Sequence, residues 1–227
     1  MTRPLFVFRP EPGLRVTLET AAAQGLEAHG CPLFEVVPVE WSAPSAKEYD
    51  GLLVGSTNAF RHGGSKLQKL VTLPVYAVGE ATAEGAREKG FIVSRTGKGG
   101  LQAVLDGLAG REMKFLRLAG RKMIDLTPPE GIVINTHVVY RTRPLKITPD
   151  IADKMRGKGG VALLHSGEAA KRLVEECERT GIDRANVTVA ALGPRIAEMA
   201  GEGWESVHIA PQPLDAELLA LAKALCQ

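Results

Sequence analysis

Apolar positions along the chain switch repeatedly between a period of two and a period near 3.6, and this alternation sketches strands and helices in turn. LFVFR at Leu5 to Arg9 reads as a strand. From about Pro12 to Ala28, Leu14, Leu18, Ala22 and Leu26 recur at helical spacing and predict a helix. Leu33 to Trp41 is strand-like, with Pro38 better suited to an edge or an isolated ribbon than to a central position. A polar, turn-rich break covers Ser42 to Asp50. Strands are then predicted at Gly51 to Val54, Val75 to Val78 and Phe91 to Ser94, alternating with helices near Asn58 to Leu70, Glu80 to Lys89 and Leu101 to Leu108. Such a βαβα order is the signature of a parallel sheet covered by helices.

The second half repeats the first. GLLVGSTNAFR at Gly51 to Arg61 is answered by GVALLHSGEAAKR at Gly160 to Arg172, and VYAVGEATAEGAREKGF at Val75 to Phe91 by VAALGPRIAEMAGEGW at Val189 to Trp204. The second copy is read as opening with KFLRLAG at Lys114 to Gly120 and reaching a strand at Ile132 to Arg143, with Pro144 and Pro149 punctuating its exit. Strands at Gly160 to Leu164, Val187 to Ala191 and Ser206 to Ile209 alternate with helices near Glu168 to Arg179, Pro194 to Ala200 and Leu214 to Leu225. A long internal repeat predicts two similar α/β lobes rather than one large core, with a cleft between them for a ligand.

Totals narrow the options. The 227 residues are 44% hydrophobic and 24% charged, with no low-complexity tract and no apolar run long enough to cross a bilayer, so no membrane role is expected. MTRPLFVFRPEPG has the wrong pattern for a signal peptide, and a cytoplasmic protein is expected. A formal charge of +2 without a run of basic residues argues against a nucleic-acid partner. Cys31, Cys177 and Cys226 are odd in number and scattered, so neither a disulfide framework nor a zinc site is supported, and the five histidines show no HxxxH or HExxH spacing. No metal or cofactor is expected. A monomer is the default, because no long apolar stripe advertises a partner surface.

Ligands of open parallel sheets sit beyond the carboxyl ends of the strands. Ser56, Thr57 and Asn58 follow one strand, after Gly55; Gly79 and Thr82 follow another; Ser166 and Gly167, then Gly193 ahead of Pro194 and Arg195, occupy the matching joints of the second copy. Small and hydroxylated residues cap helices whether or not anything binds, so one such joint by itself is a cap. Four of them in two lobes point to a ligand bearing several carboxylates, held by main-chain N–H groups at helix starts. Other motifs fail. TGKGGL lacks a complete GxGxxG or P-loop, and LHSGE matches a nucleophile elbow only loosely, with leucine in place of the first glycine.

FRP near the start, STNAF, AVGEATAEGAREKGF, VVYRTRP, LLHSGEAAKRL and ALGPRIAEMAGEGW, in this order, resemble uroporphyrinogen-III synthase over nearly the whole chain. The resemblance implies two parallel-sheet α/β lobes joined by a two-stranded antiparallel hinge, one lobe discontinuous in sequence. The discontinuous lobe would comprise residues 1–34 and 146–227, the other 42–136, and the hinge strands 35–41 and 137–145. It further implies cofactor-free cyclisation of hydroxymethylbilane, a linear tetrapyrrole with eight carboxylates, to uroporphyrinogen III with loss of water and inversion of ring D. Tyr140 in VVYRTRP would donate a proton to the departing hydroxyl; Ser56, Thr57, Thr82 and Ser166 would bind substrate carboxylates, and Arg9 at the end of the first strand would add a charge-assisted contact. Arg195 and Ile196 stand where many relatives carry hydroxyls after GP, and Arg195 would either pair with a carboxylate in their place or face water. A non-catalytic two-lobed binding or regulatory protein for a small polycarboxylate would keep the joints without needing Tyr140. A glycosyltransferase-like enzyme is a third reading, without a nucleotide-binding signature to support it.

Overall fold

A computed structural model describes residues 3–227. In chain order its elements are β1 (Leu5–Val7), α1 (Gly13–Ala23), β2 (Ala28–Gly30), β3 (Phe34–Pro38), β4 (Gly51–Val54), α2 (Asn58–His62), β5 (Val75–Ala77), α3 (Glu80–Glu88), β6 (Val93–Thr96), α4 (Leu101–Asp106), β7 (Met113–Gly120) and β8 (Ile132–Pro144). There follow α5 (Pro149–Lys158), β9 (Gly160–Leu164), α6 (Gly167–Thr180), β10 (Val187–Ala191), α7 (Pro194–Ala200), β11 (Ser206–Ile209) and α8 (Asp215–Leu225). Residues 3–35 and 144–227 form one compact unit and residues 36–143 a second.

The first unit is built on a parallel sheet in the order β11-β10-β9-β1-β2. Every residue of β1, β9 and β10 is buried, as expected of central parallel strands covered on both faces. Because side chains alternate across a strand, each strand feeds two cores. Phe6, Ala162, Leu164, Val187, Val189 and Ala191 pack under α5 and α6 with Leu173 and Trp204. Leu5, Val7, Val161, Leu163 and Ala190 pack under α1 and α8 with Leu218 and Ala222.

The second unit follows the same rule in a sheet ordered β3-β8-β7-β4-β5-β6. Leu52, Val54, Val75, Ala77, Leu116 and Leu118 meet Phe60, Ala83, Ala86 and Phe91 on one face. Leu53, Tyr76 and Phe115 meet Leu101, Val104 and Leu105 on the other, the Tyr76 and Phe115 rings crossing edge to face at 4.9 Å. β4, β5, β6, β7 and β8 run parallel. β3 lies against β8 at the sheet edge. Val39 N donates to the Val139 carbonyl at 3.0 Å and Leu145 N to the Leu33 carbonyl at 2.8 Å, so numbers rise on one strand as they fall on the other, which makes the pair antiparallel.

Several sequence expectations need correction. The first helix stops at Ala23, and Ala28–Gly30 leaves it to become the edge strand β2. The helix expected over Asn58 to Leu70 is one α-turn followed by a 3-10 segment, Gly64–Leu70, because Gly63 and Gly64 interrupt it and Gly64 takes φ +68°. Pro149, read as punctuating the exit of the strand before it, also opens α5, a helix absent from the sequence expectations; proline fits a first turn where its missing N–H has no intrahelical role. KFLRLAG belongs to the sheet of β4 rather than opening the second copy. The three cysteines are buried free thiols, and burial pushes Cys177 up to about 12. No described helix is long and apolar enough to cross a membrane.

Where the chain re-enters the first unit it is fastened by a buried carboxylate. Glu176 on α6 is fully buried and accepts from the Ile147 amide at 2.7 Å, from Arg172 at 2.6 Å and from Arg179 at 3.0 and 2.5 Å. Arg172 also donates to the Leu145 carbonyl and Arg179 to the Ile147 carbonyl. Burial by itself would raise the Glu176 pKa; the Arg179 and Ile147 hydrogen bonds and the two guanidinium charges outweigh it and hold the carboxyl below its ordinary value. Its contribution to stability is therefore present above the ordinary carboxylate range and is lost as pH falls through the lowered pKa. Glu176→Gln should cost about 2–3 kcal/mol, below the usual toll of breaking a buried pair because both arginines reach solvent. A urea midpoint equal to that of the unaltered protein would contradict this.

Candidate functional site

In the second unit the carboxyl ends of β4, β5 and β7 and the middle of β8 surround a cavity of about 270 Å³, lined among others by Gly55, Ser56, Val78, Leu101, Arg117, Gly120, Lys122 and Tyr140. Tyr140 reaches it through an irregularity in the ladder. β7 and β8 pair residue for residue from Met113 and Ile132 up to Ala119 and Val138; then Gly120 pairs with Tyr140, leaving Val139 as an extra residue. Such a bulge turns the strand and re-aims the side chains beyond it. Val139 goes into the core, fully buried, and Tyr140 lies half-buried over Gly120. The fit is close. A Cβ on Gly120 would stand 2.5 Å from Cε2 and 2.6 Å from Cζ of the phenol ring. The ring also neighbours His62, centroid to centroid 6.3 Å; burial and then the neighbouring Arg61 hold that imidazole below its ordinary pKa.

Arg117, absent from the sequence-based candidates, is the buried cation of this cavity wall, which the exposed Lys122 also lines. It projects from β7 with 7% of its surface exposed and donates to the Ile124 carbonyl at 2.8 Å. Burial lowers its pKa, while the charge of Asp125 acts in the opposite sense. A signal was present in the sequence: a single charge in the otherwise apolar run FLRLAG has to be satisfied somewhere inside the protein.

The remaining candidates of this unit have separate surroundings. Ser56 lines the cavity, and its Oγ accepts from the Asn58 amide at 3.2 Å. Thr57 turns its hydroxyl toward α3, where a Cβ on Gly85 would come within 2.2 Å of it. Asn58 begins α2. Gly79 is the extended residue preceding α3, and Thr82 is buried on the inward face of that helix. The cavity thus brings together Ser56, Tyr140 and Arg117, and does not include Thr57, Asn58, Gly79 or Thr82.

In the first unit, Ser166 caps α6 by accepting from the Ala169 amide at 3.2 Å. Gly167 gives room to Met199 of α7, whose Sδ would lie 2.0 Å from an added Cβ. Gly193 precedes α7 in extended conformation, and Arg195 is exposed on its first turn. Arg9 is engaged by its own fold, donating to Asp215 at 2.5 Å and to Thr17 at 3.1 Å. Beside it His165, whose side chain is 8% exposed, sits 3.5 Å from Asp215 without a hydrogen bond on either ring nitrogen. Burial, then the Arg9 charge, press its pKa down to about 4 against the pull of Asp215. Arg9, His165 and Asp215 therefore meet at the carboxyl ends of β1 and β9 and the start of α8. Among the described residues no group of histidine, cysteine and carboxylate side chains could hold a metal ion.

Two parallel α/β units, one of them closed by both ends of the chain, with open strand ends in each, define a tandem α/β protein of the type that binds ligands at the carboxyl edge of its sheets. The sequence profile of the family described as uroporphyrinogen-III synthase HemD matches residues 16–220, and the chain belongs to that family. The fold is that of uroporphyrinogen-III synthetase from Helicobacter pylori, with a TM-score of 0.68 at 18% identity over 98% of this chain and 99% of the other. A mutant uroporphyrinogen III synthase from Thermus thermophilus aligns with a TM-score of 0.55 at 16% identity over 98% of both chains. No curated protein sequence matches the chain.

Gly120→Ala should push the Tyr140 ring out of its place and cost about 1–3 kcal/mol, through crowding in a filled site. Near-ultraviolet circular dichroism, together with a melting curve, checks both parts; an unchanged tyrosine signal would show that the ring does not rest on Gly120. For His165 the folded pKa, about 4, lies below the ordinary 6.5, so the unfolded chain takes up the proton first. Stability should be complete above about pH 6.5 and decline as pH falls toward about 4. His165→Gln should flatten that segment of the urea-midpoint profile.

Proposed function

We propose that the chain is a uroporphyrinogen-III synthase that closes hydroxymethylbilane to uroporphyrinogen III with inversion of ring D and loss of water. Family membership over residues 16–220 supports the reaction, and the observation that carries the chemistry is the phenol of Tyr140 lying over Gly120 at the wall of a cavity at the strand ends. In this reading Tyr140 gives its proton to the terminal hydroxyl as water leaves. The electron-poor azafulvene so formed is attacked by the substituted carbon of ring D, and the resulting spiro intermediate opens and recloses with that ring inverted. Because the free bilane also cyclises without inversion, the protein acts chiefly by holding one reactive conformer, an effect that reaches several kcal/mol of barrier.

Substrate carboxylates take their contacts, in the same reading, from the strand-end hydroxyls and helix-start amides at Ser56, Thr57, Asn58, Gly79, Thr82, Ser166, Gly167 and Gly193, with Arg9 and Arg195 as charged contributors. Arg9 reaches a carboxylate only by sharing its guanidinium with Asp215, and the exposed Arg195 can turn to one without breaking a described contact. No cofactor is required. In the same reading the protein works as a monomer in the cytoplasm.

Incubating the protein with freshly prepared hydroxymethylbilane and separating type I from type III products tests the reading; type I alone would refute it in favour of a non-catalytic binder. Tyr140→Phe should lower the rate of type III formation about 10²-fold or more with the melting temperature preserved. A rate equal to that of the unaltered enzyme would remove Tyr140 from proton transfer.

A further inference from the structure

A guanidinium withdrawn from water needs an anion, and among the described residues Arg117 has none within ion-pair distance. It is 7% exposed, yet its hydrogen bond runs to a neutral acceptor, the Ile124 carbonyl, and the anion acting on it, Asp125, belongs to an exposed loop. Among the described residues no carboxylate oxygen makes a salt-bridge contact with it. Glu176 shows what this chain does with a buried charge that serves the fold alone: it surrounds it with two opposite charges and a main-chain amide. Arg117 has five N–H donors by its chemistry, and it stands in the wall of the Tyr140 cavity rather than behind it. At about 270 Å³, just below the roughly 300–1,000 Å³ of sites for drug-sized molecules, that cavity suits a single pyrrole with its side chains better than a whole tetrapyrrole.

We propose that Arg117 binds one acetate or propionate carboxylate of the substrate inside this cavity, fixing the ring that bears it beside Tyr140. The proposal rests on the synthase reading for the identity of the substrate, though the anion site itself follows from the buried charge and the cavity. A planar fork of donors suits a carboxylate held through two parallel bonds, the geometry that lysine does not reproduce. The ligand supplies the counter-charge that the fold leaves out, and Arg117 acts as a binding and positioning residue rather than as a proton donor.

The test uses the full chain and two readouts. Uroporphyrin III, a fluorescent octacarboxylate that needs no turnover, is titrated into the unaltered protein, Arg117→Met and Arg117→Lys, and steady-state kinetics with hydroxymethylbilane are run on the same three. Arg117→Met should weaken uroporphyrin binding and raise KM by about 10- to 100-fold, the range expected for losing hydrogen bonds to a charged group, and Arg117→Lys should fall between. A structural role alone would lower the melting temperature without this selective loss. If Arg117→Met proves unfolded, Arg117→Lys decides the matter, because it keeps the charge and loses the fork. Affinity and KM equal to those of the unaltered enzyme in a folded variant would overturn the proposal while leaving type III synthesis intact. Conversely, Arg117-dependent uroporphyrin binding in a protein that yields only type I product would refute the synthase reading and leave the anion site standing.

Discussion

One extra residue in a strand decides where the Tyr140 phenol stands in the second unit. Up to Val138 the β7–β8 ladder is regular, and a continued register would pair Gly120 with Val139. The bulge gives the apolar Val139 to the core and sets the phenol on the only residue that has no side chain to resist it. Neither half suffices alone. Without the bulge the tyrosine is aimed elsewhere, and without the glycine there is no floor for its ring. The candidate proton donor inherits its position from that pairing, whereas the buried cation Arg117 lies on β7 in the regular part of the ladder, paired with Thr136.

Much of this architecture is legible in the sequence, and the failures have physical causes. The apolar runs GLLV, GVALL and VTVAA announce central strands because every residue in them is buried. AHG, the edge strand at Ala28–Gly30, carries no apolar alternation, since only its partner β1 defines it. α5 escapes because its composition is polar and only Ile151, Ala152 and Met155 face inward. Strand order is a property of distant pairings, so Met113–Gly120 could not be placed beside β4 from periodicity. The family resemblance supplied what periodicity could not, namely that the first strand joins the last third of the chain.

At the candidate site the sequence pointed to Tyr140 and Ser56 and overlooked Arg117. Motif reading favours residues at the joints, where glycine and hydroxyls cluster; a charge in mid-strand looks like a surface position until the sheet is known to be covered on both faces. Several joint residues meanwhile have evident structural duties. Ser166 caps α6, Gly167 accommodates Met199 and Thr57 lies against α3. A residue can cap a helix and meet a ligand, but the cap by itself accounts for its presence.

Placing β1 between β2 and β9 separates the two sides of one strand's ladder by most of the chain. The sheet partner on one side arrives about 20 residues after Leu5, and that on the other only at Val161. During synthesis, residues 36–143 emerge complete and can close their own core while β1, α1 and β2 still wait for β9 and β10. The nascent polypeptide thus carries a finished downstream globule ahead of an unfinished upstream one, with the apolar strand Leu5–Val7 open to a chaperone or to a wrong neighbour until the ribosome has passed residue 161.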